Sequence, residues 1–402
     1  MNFDKDPEEE VFRQEIRSFL AQMWEKARGL GLDQQPALSR RNIEFWTRAL
    51  NNKGFLVPTW PEEWGGKKTW SAKKIYVLSE ELVKGGIPDG DRIALDLVAP
   101  VIYTFGNPEQ KQRLLPRILN ADDFWCQGFS EPQAGSDLSL IRTRAVRDGD
   151  FYIVNGQKLW TTNAHHADMM FALLRVNSGG KLQHGLSFLL INMRAPGITV
   201  RPVITIDGGH SVNEVFLQDV RVPAKNLIGE EGKGWQYARY LLSNERVAVA
   251  AAPQTRKDLG KLKTMAAAER RNGRPLIDDP LFRAKVSQLE IDLLSLEFSI
   301  MRMVDMMATN DPAMDRLGPV LKIRGSELRQ RVSELQMLAL GERGLAFYQP
   351  ASVSELAAEL APPGPDYAGG VTSTFMFRRS TSIAAGSNEI QRNILASSGL
   401  GL

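Results

Sequence analysis

Cysteine is almost absent from this chain. The single residue, Cys126, excludes an internal disulfide and suits a reducing compartment, so a cytoplasmic location is expected. Charge of one sign is also scarce. The net charge is +3, spread along 402 residues with no basic arm or stripe, so nucleic acid is not an expected partner. No apolar run approaches the roughly 18 residues that span a bilayer, so no membrane span is expected. The opening MNFDKDPEEE is acidic and polar, unlike a secretory signal or an Arg-rich transit peptide. Internal repeats are lacking. What remains, 43% hydrophobic and 24% charged residues, is ordinary for a globular protein, and the length predicts two or three domains.

The hydrophobic period changes twice along the chain. In PEEEVFRQEIRSFLAQMW, Val11, Phe12, Ile16, Phe19 and Leu20 recur at helical spacing. PEQKQRLLPRIL opens with Pro108 in a first turn and carries Leu114, Leu115 and Ile118. A Pro/Gly/Trp loop, PTWPEEWGGKKTW, lies between them. DFYIVNGQKLWTTN, ADMMFALLRV, GLSFLLINM, GITVRPV and NEVFLQDVRVP are then short apolar or alternating runs split by Gly, Asn and Pro, as in strands. Helical spacing returns after Gly234 in two long amphipathic stretches, and QPASVSELAAELAPPGPDYAGG interrupts as a loop. The expected fold is α+β and mainly α. A helical domain spans 1–122, a small antiparallel β domain 123–233, and a four-helix bundle 234–402.

Three short stretches carry candidate chemistry. GFSEPQAGSD offers hydroxyls at Ser130 and Ser136, and Gly135 permits close backbone approach to a ligand. On composition alone a plain surface turn is the simpler reading. In KLWTTN, Trp160 and Thr162 alternate with Thr161, which puts them on one face of a strand and able to flank a flat heterocycle. A core tryptophan is the alternative. LLSNERVAVAA is a helix of small and apolar residues with one acid, Glu245, which burial would make a stronger base. The alternative is that Glu245 only pairs with Arg246 or with another helix.

GFSEPQAGSD followed by VNGQKLWTTN resembles the acyl-CoA dehydrogenase family. GNPEQKQRLLPRIL, VRVPAKNLIGEEGKGW and GSNEIQRNILA match in the same order, so the resemblance covers nearly the whole chain. It implies FAD, an acyl-CoA substrate, α,β-dehydrogenation and an electron-transfer flavoprotein as acceptor. It also implies a tetramer, of one chain or of two related chains. DGGHSVNEVF and GRPLIDDP are similar to the large subunit of pimeloyl-CoA dehydrogenase and to steroid-side-chain enzymes of the family. The resemblance places Trp160 and Thr162 beside the flavin ring, Phe129 and Ser130 at its edge, and Ser136 on the CoA arm. Ser387 and Glu389 would also contact the cofactor.

One departure bears on catalysis. Where many family members carry a catalytic glutamate, this chain has Ala385. Some members carry the base on the helix corresponding to LLSNERVAVAA, in an acid-arginine pair like Glu245-Arg246, with a small residue at the usual place. Glu245 is therefore the expected α-proton base, with Arg246, Ala385 and Gly386 near the substrate. The Ala385 N–H would donate to the thioester carbonyl, as in an oxyanion hole. The family's Gly-rich diphosphate loop is reduced to Gly341 and Gly344, and Arg270 is the candidate diphosphate arginine. That reduction fits two unlike subunits building the site together. It also fits a non-catalytic subunit, and an acyl-CoA oxidase is a third reading. Arg92 is a candidate partner for the far carboxylate of a dicarboxylyl substrate. His165-His166 has no acid or cysteine at ligand spacing and, read on a strand, points to opposite faces, so no metal site is expected. Glu8–Glu10 and Glu269–Arg271 read as solvated helix faces.

Overall fold

The structure, a computed structural model, describes residues 7–35, 39–88, 90–176, 181–309, 311, 313–346, 364–399 and 401–402; side chains at 243–249, 308, 315 and 398–399 lie outside that description. Helices come first: α1 (Pro7–Gly29), α2 (Arg40–Lys53), α3 (Ala72–Lys84), a π-helical turn (Ile93–Val98) continuing into α4 (Ala99–Phe105), and α5 (Pro108–Leu119). α1 buries Phe12, Ile16, Leu20, Met23 and Ala27. Val11, expected on that face, is 71% exposed, because the buried stripe follows an i, i+4 row starting one residue later. α5 has a complete capping box, the Asn107 side chain accepting from the Gln110 N–H while Gln110 accepts from the Asn107 N–H, with Pro108 following the cap. The Gln110 amide also donates to the carbonyls of Lys225 (2.8 Å) and Leu227 (2.7 Å), fixing α5 to the exit of the β domain.

The β domain is one seven-stranded sheet: β1 (Trp125–Gly128), β2 (Arg144–Asp148), β3 (Phe151–Thr162), β4 (Met169–Arg175), β5 (Leu186–Asn192), β6 (Ile198–Val203) and β7 (Val212–Pro223). The order is β1-β4-β2-β3-β7-β6, with β5 on β4. Four of its pairings are antiparallel as expected, but β1–β4 and the short β2–β4 contact are parallel. A parallel pair needs a crossover. Here the loop holding SEPQAGSD and the β2–β3 hairpin supply it, which is why that loop sits at the end of the sheet.

The last region holds α6 (Gly234–Ala250), α7 (Ala252–Ala268), a two-stranded hairpin (β8, Arg270–Arg271; β9, Arg274–Pro275), α8 (Pro280–Thr309), α9 (Met314–Leu340), α10 (Val371–Arg378) and α11 (Asn388–Ile394). α9 packs against all the other helices of this region, and Leu262, Leu293, Leu321 and Val332 lie in the shared core. Gly325 lets α9 approach α6: a Cβ there would lie 2.7 Å from the Ala250 Cα. Most of the expected loop at 349–370 lies outside the described residues; its last part forms a 3-10 turn, Asp366–Ala368.

Candidate active site

The expected site residues fall into three groups. The first is built on β3. Two residues of β3, Leu159 and Trp160, oppose one of β7 at a bulge between Lys158 and Thr161. Trp160 sits there with φ +61°, a conformation that is an outlier for a bulky residue, and is 55% exposed. Thr162 is exposed too and Thr161 between them is buried, so Trp160 and Thr162 share one face as their alternation implies, while the bulge just before sets which way that face points. The Leu159 N–H donates to the Ser130 carbonyl at 2.9 Å, tying the loop to the bulge. The Ser130, Ser136 and Thr162 hydroxyls have no hydrogen-bond partner among the described residues. The Phe129 ring is buried against Phe171 and Phe188, so this residue offers a ligand its main chain, not its side chain. A strained exposed indole beside free hydroxyls suits a flat polar heterocycle such as a flavin ring.

Beneath this loop lies an ion pair that the sequence reading missed. The fully buried Lys158 ammonium donates to Glu131 Oε1 (2.8 Å), the Leu173 carbonyl (2.7 Å) and the Phe129 carbonyl (3.2 Å). Glu131 also accepts from the N–H groups of Arg142 (2.7 Å) and Thr143 (3.0 Å) and from Gln133 Nε2 (2.6 Å). Burial pushes the Glu131 carboxyl up, but the Lys158 charge and these hydrogen bonds outweigh it and hold it below the usual range. Burial pulls Lys158 down to about 8, against the attraction of Glu131. Both groups are therefore charged at neutral pH, and they fix Phe129 and Ser130 relative to Trp160.

The second group is the turn before α11. Ala385 (φ +57°) and Gly386 (φ +79°) are both left-handed, and a Cβ at Gly386 would lie 2.6 Å from Gln391 Nε2. Ser387 caps α11, its hydroxyl accepting from the Ile390 N–H at 3.3 Å. Gln391 is buried, and its Oε1 has no partner. Glu389 is exposed, and Arg392 lies 3.5 Å from it. Gln330 on α9 donates to the Arg378 carbonyl and to Ser382 Oγ, both at 3.1 Å, bracing the chain that enters the turn. Glu245 and Arg246 lie on α6, but their side chains are outside the described residues.

The third group joins the hairpin to the stretch after α9. Glu269 was expected on a solvated helix face. Instead α7 ends at Ala268, and Glu269 is buried, accepting from Arg343 and from the Tyr367 hydroxyl (2.9 Å). That brings the exposed Arg270 into the same neighbourhood as Gly341, which adopts φ +58° in the 3-10 turn Gly341–Leu345. At the other end of the chain Glu9 is likewise paired, with Arg13 (2.9 Å) and Lys73 (2.8 Å).

His165 and His166 lie in the turn after β3, not on a strand, and their rings are 4.0 Å apart. His165 is also stacked on His210 at 4.1 Å, and Asn213 contacts both His165 and His210. Burial, with His166 and His210 adding repulsion, pulls His165 down to about 4. Among the described residues no group of His, Cys, Asp or Glu is arranged to hold a metal ion.

Models of the N-terminal, middle and C-terminal domains of acyl-CoA dehydrogenases match residues 6–122, 126–220 and 232–400. The chain is 32% identical over 398 residues to acyl-CoA dehydrogenase IpdE1 of Mycobacterium tuberculosis, covering 98% of this chain and 97% of that one. It is 31% identical over 417 residues to acyl-CoA dehydrogenase FadE26 of the same organism, covering 100% and 99%. Among solved structures it is similar to the ChsE4-ChsE5 complex from Mycobacterium tuberculosis (TM-score 0.82, 29% identity, 100% of this chain and 99% of that chain). It is also similar to the Tcur3481-Tcur3483 steroid ACAD (TM-score 0.82, 26% identity, again 100% and 99%). The three-domain architecture is theirs, and the chain belongs to the acyl-CoA dehydrogenase family of FAD-dependent oxidoreductases that act on CH–CH groups.

Proposed function

We propose that this chain binds FAD and oxidises an acyl-CoA thioester between its α and β carbons. The observation that carries this reading is the bulge at Trp160: a strained, exposed indole locked to a loop whose hydroxyls are free. The buried, unpartnered Gln391 Oε1 behind the turn is a second sign of a missing ligand. FAD, once bound, supplies the acceptor for the β-hydride. Ser130, Thr162 and the main chain at Phe129 hold its ring; Ser387 and Glu389 assist from the start of α11, and Arg270 and Gly341 would meet the diphosphate. Ser136 contacts the CoA arm. Glu245 takes the α-proton, Arg246 lies beside it, and Ala385 leaves room for the acid. The left-handed pair Ala385-Gly386 turns its N–H groups toward the thioester carbonyl.

The acyl group is proposed in two forms. A dicarboxylyl chain follows from the resemblance to pimeloyl-CoA dehydrogenase. A steroid-derived acyl group follows from the likeness to the steroid ACAD. Arg92 is ion-paired with Asp96 at 2.6 Å, so a distal carboxylate there would have to compete with Asp96. We also propose a hetero-tetramer with a second, related chain. The likeness to the ChsE4-ChsE5 complex and the exposed Leu281, Ile291 and Leu294 on α8 support it; a homo-tetramer is the alternative. Electrons are proposed to leave to an electron-transfer flavoprotein. A cytoplasmic setting suits the lone buried cysteine, and among the described residues no helix is long and apolar enough to cross a membrane. The domains are proposed as 1–122, 123–233 and 234–402.

The test is the visible spectrum of the protein, purified with its partner chain and supplied with FAD. Flavin absorption that bleaches anaerobically with a pimeloyl-CoA or steroid acyl-CoA is expected. Failure to hold flavin, alone and with the partner, would refute the reading.

A further inference from the structure

On the buried side of the Trp160 bulge lies a side-chain network that the proposed chemistry does not use. Asn213 on β7 pairs with Thr161 on β3 and is fully buried. Its Nδ2 donates to the Thr161 carbonyl at 3.0 Å and lies 3.0 Å from His165 Nδ1; its Oδ1 lies 2.8 Å from His210 Nε2. A carbonyl can only accept, so the contact with Thr161 fixes which end of the amide is which. His165 must then present a bare Nδ1, and His210 must donate from Nε2. Burial, with His166 and His210 adding repulsion, holds His165 well below the ordinary histidine range, so the bare Nδ1 is the form present at neutral pH. Both amide hydrogens and the amide oxygen of Asn213 are thereby engaged.

The segment they hold is strained. Thr161 and Thr162 are flanked by two left-handed residues, Trp160 (φ +61°) and Asn163 (φ +57°). Such backbone persists only where its surroundings over-determine it. The Thr161 hydroxyl is buried and makes no hydrogen bond, so the side-chain anchor here is Asn213. The Asn163 N–H also donates to the Ser211 carbonyl at 2.8 Å. His210 and Ser211 belong to the loop between β6 and β7, residues 204–211. That loop is braced internally, the Thr205 N–H donating to the Gly209 carbonyl (3.1 Å) and the Gly208 N–H to the Thr205 carbonyl (2.8 Å). It also reaches the last domain: Ser373 Oγ donates to the Asp207 carbonyl at 3.0 Å, and both residues are buried. Ser373 lies in α10, which continues through the 3-10 turn Arg379–Ser382 toward the Ala385-Gly386 turn. One short loop thus joins the two halves of the proposed site.

We propose that Asn213 and His210 are positioning residues: they fix the Trp160–Thr162 platform to the β6–β7 loop and, through Ser373, to the helix that leads into the Ala385-Gly386 turn, so that the flavin-facing and thioester-facing halves keep one separation. This deepens the active-site reading given above and rests on it.

The test uses the complex with its flavin removed. FAD is titrated back and followed by flavin fluorescence, and the loaded complex is then reduced anaerobically by pimeloyl-CoA or the steroid acyl-CoA, whichever reduces wild type. His210→Phe keeps a flat ring and removes the donor to Asn213. It should weaken FAD binding about two- to tenfold, the worth of one hydrogen bond. It should also slow flavin reduction by up to about a hundredfold, the size of an ångström of misplacement. His210→Gln returns an N–H near the place of Nε2 and should recover most of both losses. Ser373→Ala releases the loop from α10 and should slow reduction as well; combined with His210→Phe it should add little, because both act on one loop. If His210→Phe does not fold, Ser373→Ala decides. A network that only adds stability would lower the urea midpoint and leave FAD affinity and reduction rate at wild-type values, in either variant, and that result overturns the proposal. Equal losses in His210→Phe and His210→Gln overturn it too. A wild-type complex that takes up no FAD, or whose flavin neither thioester reduces, instead refutes the active-site reading itself.

Discussion

Replacing Lys158 by Met removes one charge from a pair that has almost no access to water: the two side chains are 0% and 2% exposed. Breaking a buried pair from one side typically costs about 3–5 kcal/mol, because the remaining charge is left uncompensated. Glu131 would keep three other donors, Arg142, Thr143 and Gln133. The lower end, about 3 kcal/mol, is therefore expected. The assay is urea unfolding followed by circular dichroism, at fixed protein and FAD concentrations because bound ligand adds to apparent stability. Adding Glu131→Gln should recover a substantial part of the loss, since it removes the stranded charge. The pH dependence has a definite sign. A carboxyl held below its ordinary pKa stabilises the fold above that range, and the stabilisation is lost as pH falls through the lowered value. Without Lys158 the carboxyl pKa rises, so the variant's deficit should shrink in acid, where Glu131 is protonated. FAD affinity should fall in parallel, because Phe129 and Ser130 are held by this pair. A Lys158→Met protein as stable as wild type at neutral pH would refute the reasoning.

Other outcomes follow from single features. Gly386→Ala forces a side chain into φ +79° and against Gln391; a loss of about 1–3 kcal/mol and slower flavin reduction by acyl-CoA are expected, both measurable on purified protein. Asn107→Ala removes the cap of α5 and should cost about 1 kcal/mol in urea unfolding. His165 should still be neutral at pH 5 and titrate near 4 by NMR, burial being the main cause and its two neighbouring imidazoles adding repulsion. Its contribution to stability is complete above the ordinary histidine range and declines as pH falls toward 4; His165→Asn should remove that acid sensitivity.

Much of this fold was legible because its signals are local. Asn107, Pro108 and Gln110 announce a helix start within four residues, and the strands of the β domain are bounded by Gly, Asn and Pro. The shared face of Trp160 and Thr162 was also legible from their alternation with Thr161; which way that face points was not. A bulge is set by which β7 residues pair with β3, and those lie about fifty residues away. Distance in sequence also hid the buried charges. Lys158 reads as a polar position in a strand and Lys322 as part of a polar helix face, until Glu131 and Asn388 are seen beside them. The His165–His210 stack was likewise invisible, because the two residues sit on different loops. Glu269 was misread because the helix stops one residue earlier than its run of small residues and charges implied.

The central claim is that Ala385 marks a displaced base and not a lost one. Anaerobic single-turnover reduction of the bound flavin by acyl-CoA, compared between wild type and Glu245→Gln, tests it most directly. The substitution is nearly isosteric and removes only the base. Flavin content should be kept while reduction slows by about two to four orders of magnitude; reduction at the wild-type rate would contradict a base at Glu245.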